Sequence, residues 1–329
     1  MGTLSTTAGS AGAPSRLQVL LRRMRDGDEI AHLLTMIFAG SILLVTTMLV
    51  YELWVHSAPT RAQFGWKFFF SSTWDPINGV FGAWPYIYGT LVTTAIALII
   101  AVPLGLGAAI FLSELAPPKV SSSLGFVIDL LAAVPSVIYG VLAVFMLEPL
   151  MRSTIQPLLK HTLGFLPIFT GPAYGFGFLT AGIVLAIMVV PFIISVSREV
   201  LMAVPQDQRE ASLGLGATRW ETTYRVVVGY ARTGILGSVF LSMARALGET
   251  MAVTMVIGNV PKVSASLFSP GYSIAAVIAN EFAEASAGLH LSALIELGLV
   301  LFLLTFILNG LARVMIIATS RRGAGVGRG

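Results

Sequence analysis

Arg245 and Glu249 stand four residues apart in Ala244-Arg245-Ala246-Leu247-Gly248-Glu249-Thr250-Met251-Ala252-Val253, inside an apolar stretch covering about 235–258. A charged side chain at bilayer depth costs a few kcal/mol, so the charges found there are functional-site candidates by default. If the stretch is a single helix, the two charges share one face, one turn apart. At 1.5 Å per residue Arg245 then lies about 15 Å from one edge, near the midplane. A guanidinium in that place offers a planar fork of donors to an oxyanion such as phosphate or sulfate. Glu249 is expected to hold the fork while the path is empty, and Thr250 and Thr254 add hydroxyls nearby. The competing reading is a structural Arg–Glu pair that only pins this helix to its neighbours.

A second cluster is Val134-Pro135-Ser136-Val137-Ile138-Tyr139-Gly140. Pro135 removes a backbone donor at a depth similar to that of Arg245, so freed backbone groups there face either a cavity or a packing kink. Ser136 is taken as a second substrate-side residue, and Pro135 and Asp129 as gating candidates. Glu296 is placed near the outer edge of its span. The chain has no Cys, which excludes disulfides and thiolate metal sites, and its four His are too scattered for metal-ligand spacing. No metal site is expected.

The elements that carry these residues follow from composition. Charged residues make up 11% of the 329 and hydrophobic ones 56%, against roughly 25% charged in a soluble domain. That excludes a water-soluble enzyme, a disordered chain and a coiled coil. Six apolar stretches are long enough to cross about 30 Å of hydrocarbon, at about 31–53, 88–112, 124–147, 177–197, 235–258 and 291–316. The first is too long and too late for a signal peptide. Residues 1–30 read as an N-terminal arm, disordered over 1–15, and 319–329 as a basic tail. The start Met1-Gly2-Thr3-Leu4-Ser5-Thr6 fits a myristoylation pattern, which six spans make redundant. In span 2, Ala101, Gly105 and Ala109 repeat every four residues, a pattern for close helix packing.

The sorting of Lys and Arg predicts that both termini are cytoplasmic. With that topology 14 of the 20 basic residues lie inside, among them Arg16, Arg22, Arg23, Arg25, Arg321, Arg322 and Arg328. Five lie outside, and Arg245 is in a span. The net charge of +4 therefore records orientation and not a nucleic-acid partner. Outside, the aromatics Trp66, Phe68, Phe69, Phe70, Trp74 and Trp84 suit an interfacial belt, and 149–176 reads as a polar loop. In 272–286, Ile274, Val277, Ile278 and Phe282 recur at helical spacing, which predicts an amphipathic helix lying on the membrane; an outer lid is the sharper alternative.

The loop 198–234 carries a mechanism. It reads Pro205-Gln206-Asp207-Gln208-Arg209-Glu210-Ala211-Ser212-Leu213-Gly214-Leu215-Gly216-Ala217-Thr218-Arg219-Trp220-Glu221. Pro205 suits a helix start, and Gly214 and Gly216 end the helix within three turns. Thr218 and Glu221 form a capping box that opens a second helix. Glu-Ala-Ser-x-x-x-Gly at 210–216 resembles the EAA loop of ABC-transporter permeases, whose short coupling helix docks on an ATPase subunit. Gln208, Arg209, Glu210, Ala211, Ser212, Leu213 and Gly216 are the coupling candidates. Where the EAA consensus continues Ile-x-Leu-Pro, this chain has Val226, Val228 and Gly229, so the Pro is lost. The four Lys follow Trp66, Pro118, Leu159 and Pro261, never Gly, so the chain carries no Gly-Lys-Ser/Thr phosphate loop and any ATPase is a separate polypeptide.

Together with Trp74-Asp75-Pro76, Phe81-Gly82, Pro85 to Leu91, Leu112-Ser113-Glu114 and Ala244 to Val253, these motifs are similar over about 66–316 to the PstC-type permease subunits of phosphate-specific ABC transporters. The resemblance implies an all-helical, MetI-like integral membrane fold that imports phosphate by alternating access. It also implies a homologous PstA-type permease, a PstB-type ATPase dimer holding ATP and magnesium, and a PstS-type phosphate-binding protein. This chain would hold no cofactor and catalyse no reaction. The extra N-terminal arm and the Trp-rich outer segment favour the PstC over the PstA type. The alternatives are a sulfate or molybdate permease, since Arg245 alone does not distinguish tetrahedral oxyanions, a secondary transporter, which would show inverted repeats, and a membrane sensor, for which no soluble signalling domain is recognisable.

Overall fold

The computed structural model describes residues 28–285 and 288–324, whose named elements are all helical; the basic residues Arg16, Arg22, Arg23, Arg25 and Arg328, the arm over 1–15 and its N-terminal Met-Gly pattern lie outside them. The chain divides into two units, the first ending at Val55 and the second beginning at His56. The described residues of the first unit form one helix, α1 (Asp28–His56). Its side chains from His32 to Val55 are almost all exposed, and its few hydroxyls turn inward: Thr35, Thr46 and Thr47 donate to carbonyls four residues back, at 2.7–2.9 Å. An apolar helix with its polar groups satisfied internally is what lipid requires.

The second unit contains short helices α2 (Ala58–Phe64) and α3 (Lys67–Phe70), then α4 (Trp84–Leu115), α5 (Pro118–Ala132) and α6 (Ser136–Leu163). It continues with α7 (Phe178–Met202), α8 (Gln206–Gly214), α9 (Arg219–Leu247), α10 (Met251–Val256), α11 (Ile274–Glu281) and α12 (Leu289–Ala324). With α1, the helices α4, α6, α7, α9 and α12 are the six long and apolar enough to cross a membrane. Four match the expected stretches closely, although α12 continues as a helix through residues assigned to the tail.

The core forms where α7 packs along α4. Ala101 and Ala109 are fully buried, and a Cβ at Gly105 would lie 2.6 Å from Ile193 Cγ2, so the small-residue stripe lets the two helices approach. Gly182 does the same from the other side, where a Cβ would meet Ile96 at 2.5 Å.

Two of the expected spans are not continuous. The stretch 124–147 is broken at Ala133–Pro135: α5 ends at Ala132, and α6 starts at Ser136 and runs on to Leu163 through two π-turns, over half the segment expected to be a polar loop. Pro135 supplies no donor and forces the residue before it out of the helical region. The stretch 235–258 is broken at Gly248–Thr250, between α9 and α10.

The segments expected on the outer side also depart from expectation. Phe68 is buried, and Trp74 packs edge-on against Phe81 and Tyr86, with ring centroids 4.8 and 5.0 Å apart. These rings form a protein core, while Trp66 and Phe70 stay exposed as a belt residue would. The helix read at 272–286 is not laid on the membrane: Ile274, Ala275, Ala276 and Val277 of α11 are all buried, against a cluster that includes Tyr272, Leu294 and Leu297. Two small residues in its first turn allow burial on every side. Glu296 is likewise buried, in an ion pair with Arg61 of α2 at 3.3 Å.

Candidate translocation site and coupling loop

The two helix breaks lie side by side. α6 and α10 pack directly, and a Cβ on Gly140 would lie 2.5 Å from Met255 Sδ and 3.1 Å from Ala252 Cα, so only glycine admits this approach. At the first break the Leu131 carbonyl, released from the helical pattern, accepts from the Tyr139 hydroxyl at 2.8 Å. Tyr139 thus bridges the gap that Pro135 opens. Ser136 lies one turn before Tyr139, on the same face of α6. Asp129, on α5, accepts from Ser195 of α7 at 2.6 Å, and Arg198 of α7 donates to Ser121 at 3.2 Å. Both tie α5 to α7.

At the second break α9 ends at Leu247, two residues after Arg245. The expectation that Glu249 follows on the same helix face and holds the guanidinium does not survive this break. The Glu249 carboxylate turns away and accepts from the Ala252 amide at 3.2 Å, at the start of α10, while Thr250 donates to the Gly248 carbonyl. Thr254 donates back to Thr250 at 2.8 Å. Arg245 is exposed, its guanidinium carbon 5.5 Å from the centroid of the Phe192 ring. Among the described residues it has no carboxylate partner. Phe192 carries no signal in the sequence that links it to Arg245. Tyr139 lies within the Pro135 motif, where nothing in the sequence sets it apart from its neighbours. It also lines a cavity of about 320 Å³ with Leu142, Met146, Leu150 and Ile187, too apolar to receive an anion.

The loop after α7 folds as its sequence reads. α8 ends at Gly214, and Gly216 takes φ +87°, a left-handed conformation that favours glycine. Thr218 and Glu221 make the reciprocal capping box: the Glu221 amide donates to Thr218 Oγ1, and the Thr218 amide donates to the Glu221 carboxylate at 2.9 Å. The coupling candidates divide into two sets. Gln208, Glu210, Ala211, Leu213 and Gly216 are exposed, next to exposed Leu215 and Trp220. Arg209 and Ser212 face the bundle. Arg209 makes a forked ion pair with Glu114 at 2.9 and 3.3 Å, and donates to the carbonyls of Leu201 (2.9 Å) and Val204 at the end of α7. Ser212 Oγ lies 2.9 Å from Thr222 Oγ1. Both partners sit in π-turns, Glu114 in Phe111–Leu115 and Thr222 in Thr222–Val227. Single π-turns of this kind are frequent at functional sites.

Comparison with known proteins places this arrangement. Residues 101–316 match the family described as binding-protein-dependent transport system inner membrane component. The chain belongs to that family. It is 44% identical over 306 residues to a phosphate transport system permease protein PstC of Mesorhizobium japonicum, covering 92% of this chain and 94% of the relative. The PstC of Haemophilus influenzae is 47% identical over 286 residues, 86% and 90% of the two chains. A probable PstC of Methanocaldococcus jannaschii is 36% identical over 299 residues, 89% and 93%. The fold is shared with a bacterial ABC transporter involved in the import of the acidic polysaccharide alginate, at a TM-score of 0.55 and 16% identity over 90% of this chain and 98% of that one. The MetNI methionine ABC transporter gives 0.51 and 16%, over 72% and 96%.

This PstC-family permease is thus a multi-pass protein of the plasma membrane with a MetI-like fold. In that setting the environment of Arg245 is energetically incomplete. A charge held in the hydrocarbon costs about 2.5–3.5 kcal/mol on insertion scales. A cation–π contact at an exposed site returns only about 0.5–1 kcal/mol. A contact such as that with Phe192 therefore does not by itself compensate a guanidinium placed in hydrocarbon.

Proposed function

We propose that the chain carries inorganic phosphate into the cytoplasm as the membrane-spanning subunit of an ATP-driven importer. The observation behind this is Arg245, a guanidinium at a helix break with no carboxylate on it among the described residues. Its fork of donors suits a tetrahedral oxyanion, and the relatives above are named for phosphate, which does not favour sulfate or molybdate. Arg245 receives the anion. Thr250 and Ser136, at the two adjoining breaks, supply hydroxyls, and Glu249 keeps the second break in shape. Discontinuous helices are where transporters expose backbone to a substrate.

In this reading both termini are cytoplasmic, and a PstS-type binding protein delivers phosphate to the outer face. A PstA-type permease completes the pathway, and a PstB-type ATPase dimer closes on ATP against the exposed side of α8, at Gln208, Glu210, Ala211 and Leu213. The inward-facing Arg209 and Ser212 pass the displacement to α4 and α9. Asp129 and Pro135 act at the joint between α5 and α6, which alternates between states.

The test is uptake of radiolabelled phosphate by cells carrying Arg245→Gln or Arg245→Lys, with membrane abundance and co-purified ATPase measured in parallel. Loss of uptake in Arg245→Gln with assembly intact, partly restored by Lys, is expected. Full uptake by Arg245→Gln would refute the role given to this residue. Inhibition by excess sulfate or molybdate equal to that by unlabelled phosphate would refute the substrate.

A further inference from the structure

We propose that α5 is a sliding latch with two resting places on α7: Arg198 holds Ser121 in one, the place seen here, and Asp129 in the other, one helical turn along. The latch presupposes the alternating access proposed above and is a contact that changes with it. Its charges are placed for two positions. Ser121, Gly125 and Asp129 follow at four-residue intervals and share one face of α5, while Ser195 and Arg198 stand three apart on α7. Asp129 accepts from Ser195 at 2.6 Å, and Arg198 donates to Ser121 at 3.2 Å. The two helices therefore run antiparallel, with their opposite charges one turn out of register. Each charge is answered by a neutral hydroxyl, and among the described residues neither forms an ion pair. The Arg198 Nε is buried and has no hydrogen-bond partner among them.

Between the two charges lies Gly125. A Cβ there would stand 3.0 Å from Arg198 Nη1 and 3.1 Å from its Cζ, so the guanidinium rests directly on the backbone of α5. No side chain of that face separates it from Asp129, about 6 Å further along at 1.5 Å per residue. The helix is also built to move as a unit. Gly125 is its single buried residue. The backbone is extended on both sides of it, at Ala116 and Pro117 (ψ 141° and 148°) before and at Pro135 (ψ 138°) after. Extended residues carry no helical rigidity across, so travel of α5 does not have to drag α4 or α6. Two hydroxyl bonds to charged groups in the first position face one guanidinium–carboxylate fork in the second, and alternatives of comparable strength are what a two-state contact needs. In the second position the carboxylate also gives the orphaned Nε an acceptor.

The test is the distance between spin labels on α5 and α7 in the full assembly, without nucleotide and trapped with ATP and vanadate. The chain has no Cys, so Lys119→Cys with Ile187→Cys gives the labels their only positions in it. Bringing Asp129 onto Arg198 moves Lys119 away from Ile187, and the separation should lengthen by about 5 Å, one helical turn, in one of the two states. Losing one hydrogen bond to a charged group shifts such an equilibrium about tenfold or more. Asp129→Asn should therefore deplete the longer distance and Ser121→Ala the shorter one, opposite shifts that a merely structural contact does not give. Phosphate uptake lost in Asp129→Arg and in Arg198→Asp should return in part when the two are combined. A single distance in both states of the labelled but otherwise wild-type chain overturns the latch, as do shifts of the same sign in Asp129→Asn and Ser121→Ala. The label distance reads the motion whatever solute crosses: a fixed distance with phosphate uptake intact refutes the latch alone, and a switching distance with full uptake by Arg245→Gln refutes the role of Arg245 alone.

Discussion

Arg209 belongs to the coupling motif, yet its side chain is turned toward the bundle, and replacing it tests what holds the coupling helix. The pair is largely withdrawn from water, with the side chains of Arg209 and Glu114 15% and 9% exposed. Arg209→Met keeps the apolar stem but leaves Glu114 without its partner and the carbonyls of Leu201 and Val204 without a donor. Removing one partner of a buried pair costs about 3–5 kcal/mol, and the residual exposure sets this case at the lower end. About 3 kcal/mol corresponds to roughly a hundredfold change in a local opening equilibrium. Hydrogen–deuterium exchange of the assembled transporter should therefore show the α8 amides exchanging about a hundredfold faster in Arg209→Met, with the core of α7 unaffected. Glu114→Gln, which retains an uncharged acceptor, should cost less. The double variant should cost less than the sum, with a coupling of about 2 kcal/mol, since it buries no orphaned charge. Exchange in α8 within twofold of the wild type in Arg209→Met, or strictly additive effects, would refute the argument that this pair anchors α8.

Two further outcomes follow from the packing. Gly140→Val forces side-chain atoms into Met255 and the backbone of Ala252, and overpacking of this kind costs about 1–3 kcal/mol. A lowered melting temperature of the purified assembly and reduced phosphate uptake are expected, and unchanged values would show that α6 and α10 part without loss. In the outer layer, Arg61→Met should destabilise the assembly by about 3 kcal/mol, because it leaves Glu296 buried, whereas Glu296→Gln should cost less; thermal melts of the two variants give the order, and the reverse order would contradict it.

The parts of this fold legible from sequence are those set by local pattern. The length of an apolar run fixes α1, α4 and α7 and the start of α12 to within about five residues, because crossing the hydrocarbon demands that length whatever surrounds it. The small-residue stripe of α4 and the capping box of Thr218 and Glu221 are also local and appear as read. Hydropathy runs through the breaks in spans 3 and 5: Pro135 announces a kink but not the end of a helix, and the break in span 5 has no such warning. Pro135 and Gly248 are single residues that a hydropathy window averages away. Pairings across the chain carried no signal. Arg61 and Glu296 are 235 residues apart, and Arg209 and Glu114 are 95 apart. Each of these charges reads in isolation as a surface or motif residue. Long-range packing gave Arg209 an inward role, turned Glu249 from Arg245 to the Ala252 amide, and drew α11 from the membrane surface into the core.

The placement of the breaks bears on how a push on the loop could reach the anion. α9 begins at Arg219, beside the coupling helix, and ends at Leu247, two residues past Arg245. Ser212 meets it at Thr222, and from there to Arg245 is about 35 Å of helix at 1.5 Å per residue. No proline or chain break interrupts that distance, and the single irregularity is the π-turn at Thr222–Val227. A helix of this length resists bending far more than the three residues Gly248–Thr250 that follow it. Displacement of α8 would therefore move Arg245 before it deforms α9, and the strain would fall on the joint at Gly248 and on the Gly140 contact between α6 and α10. A mobile joint placed anywhere between Thr222 and Arg245 should uncouple the two ends. Phe240→Pro, one to two turns before Arg245, is thus expected to abolish phosphate uptake while ATPase association is retained. Phosphate uptake surviving that substitution would refute α9 as the connecting rod.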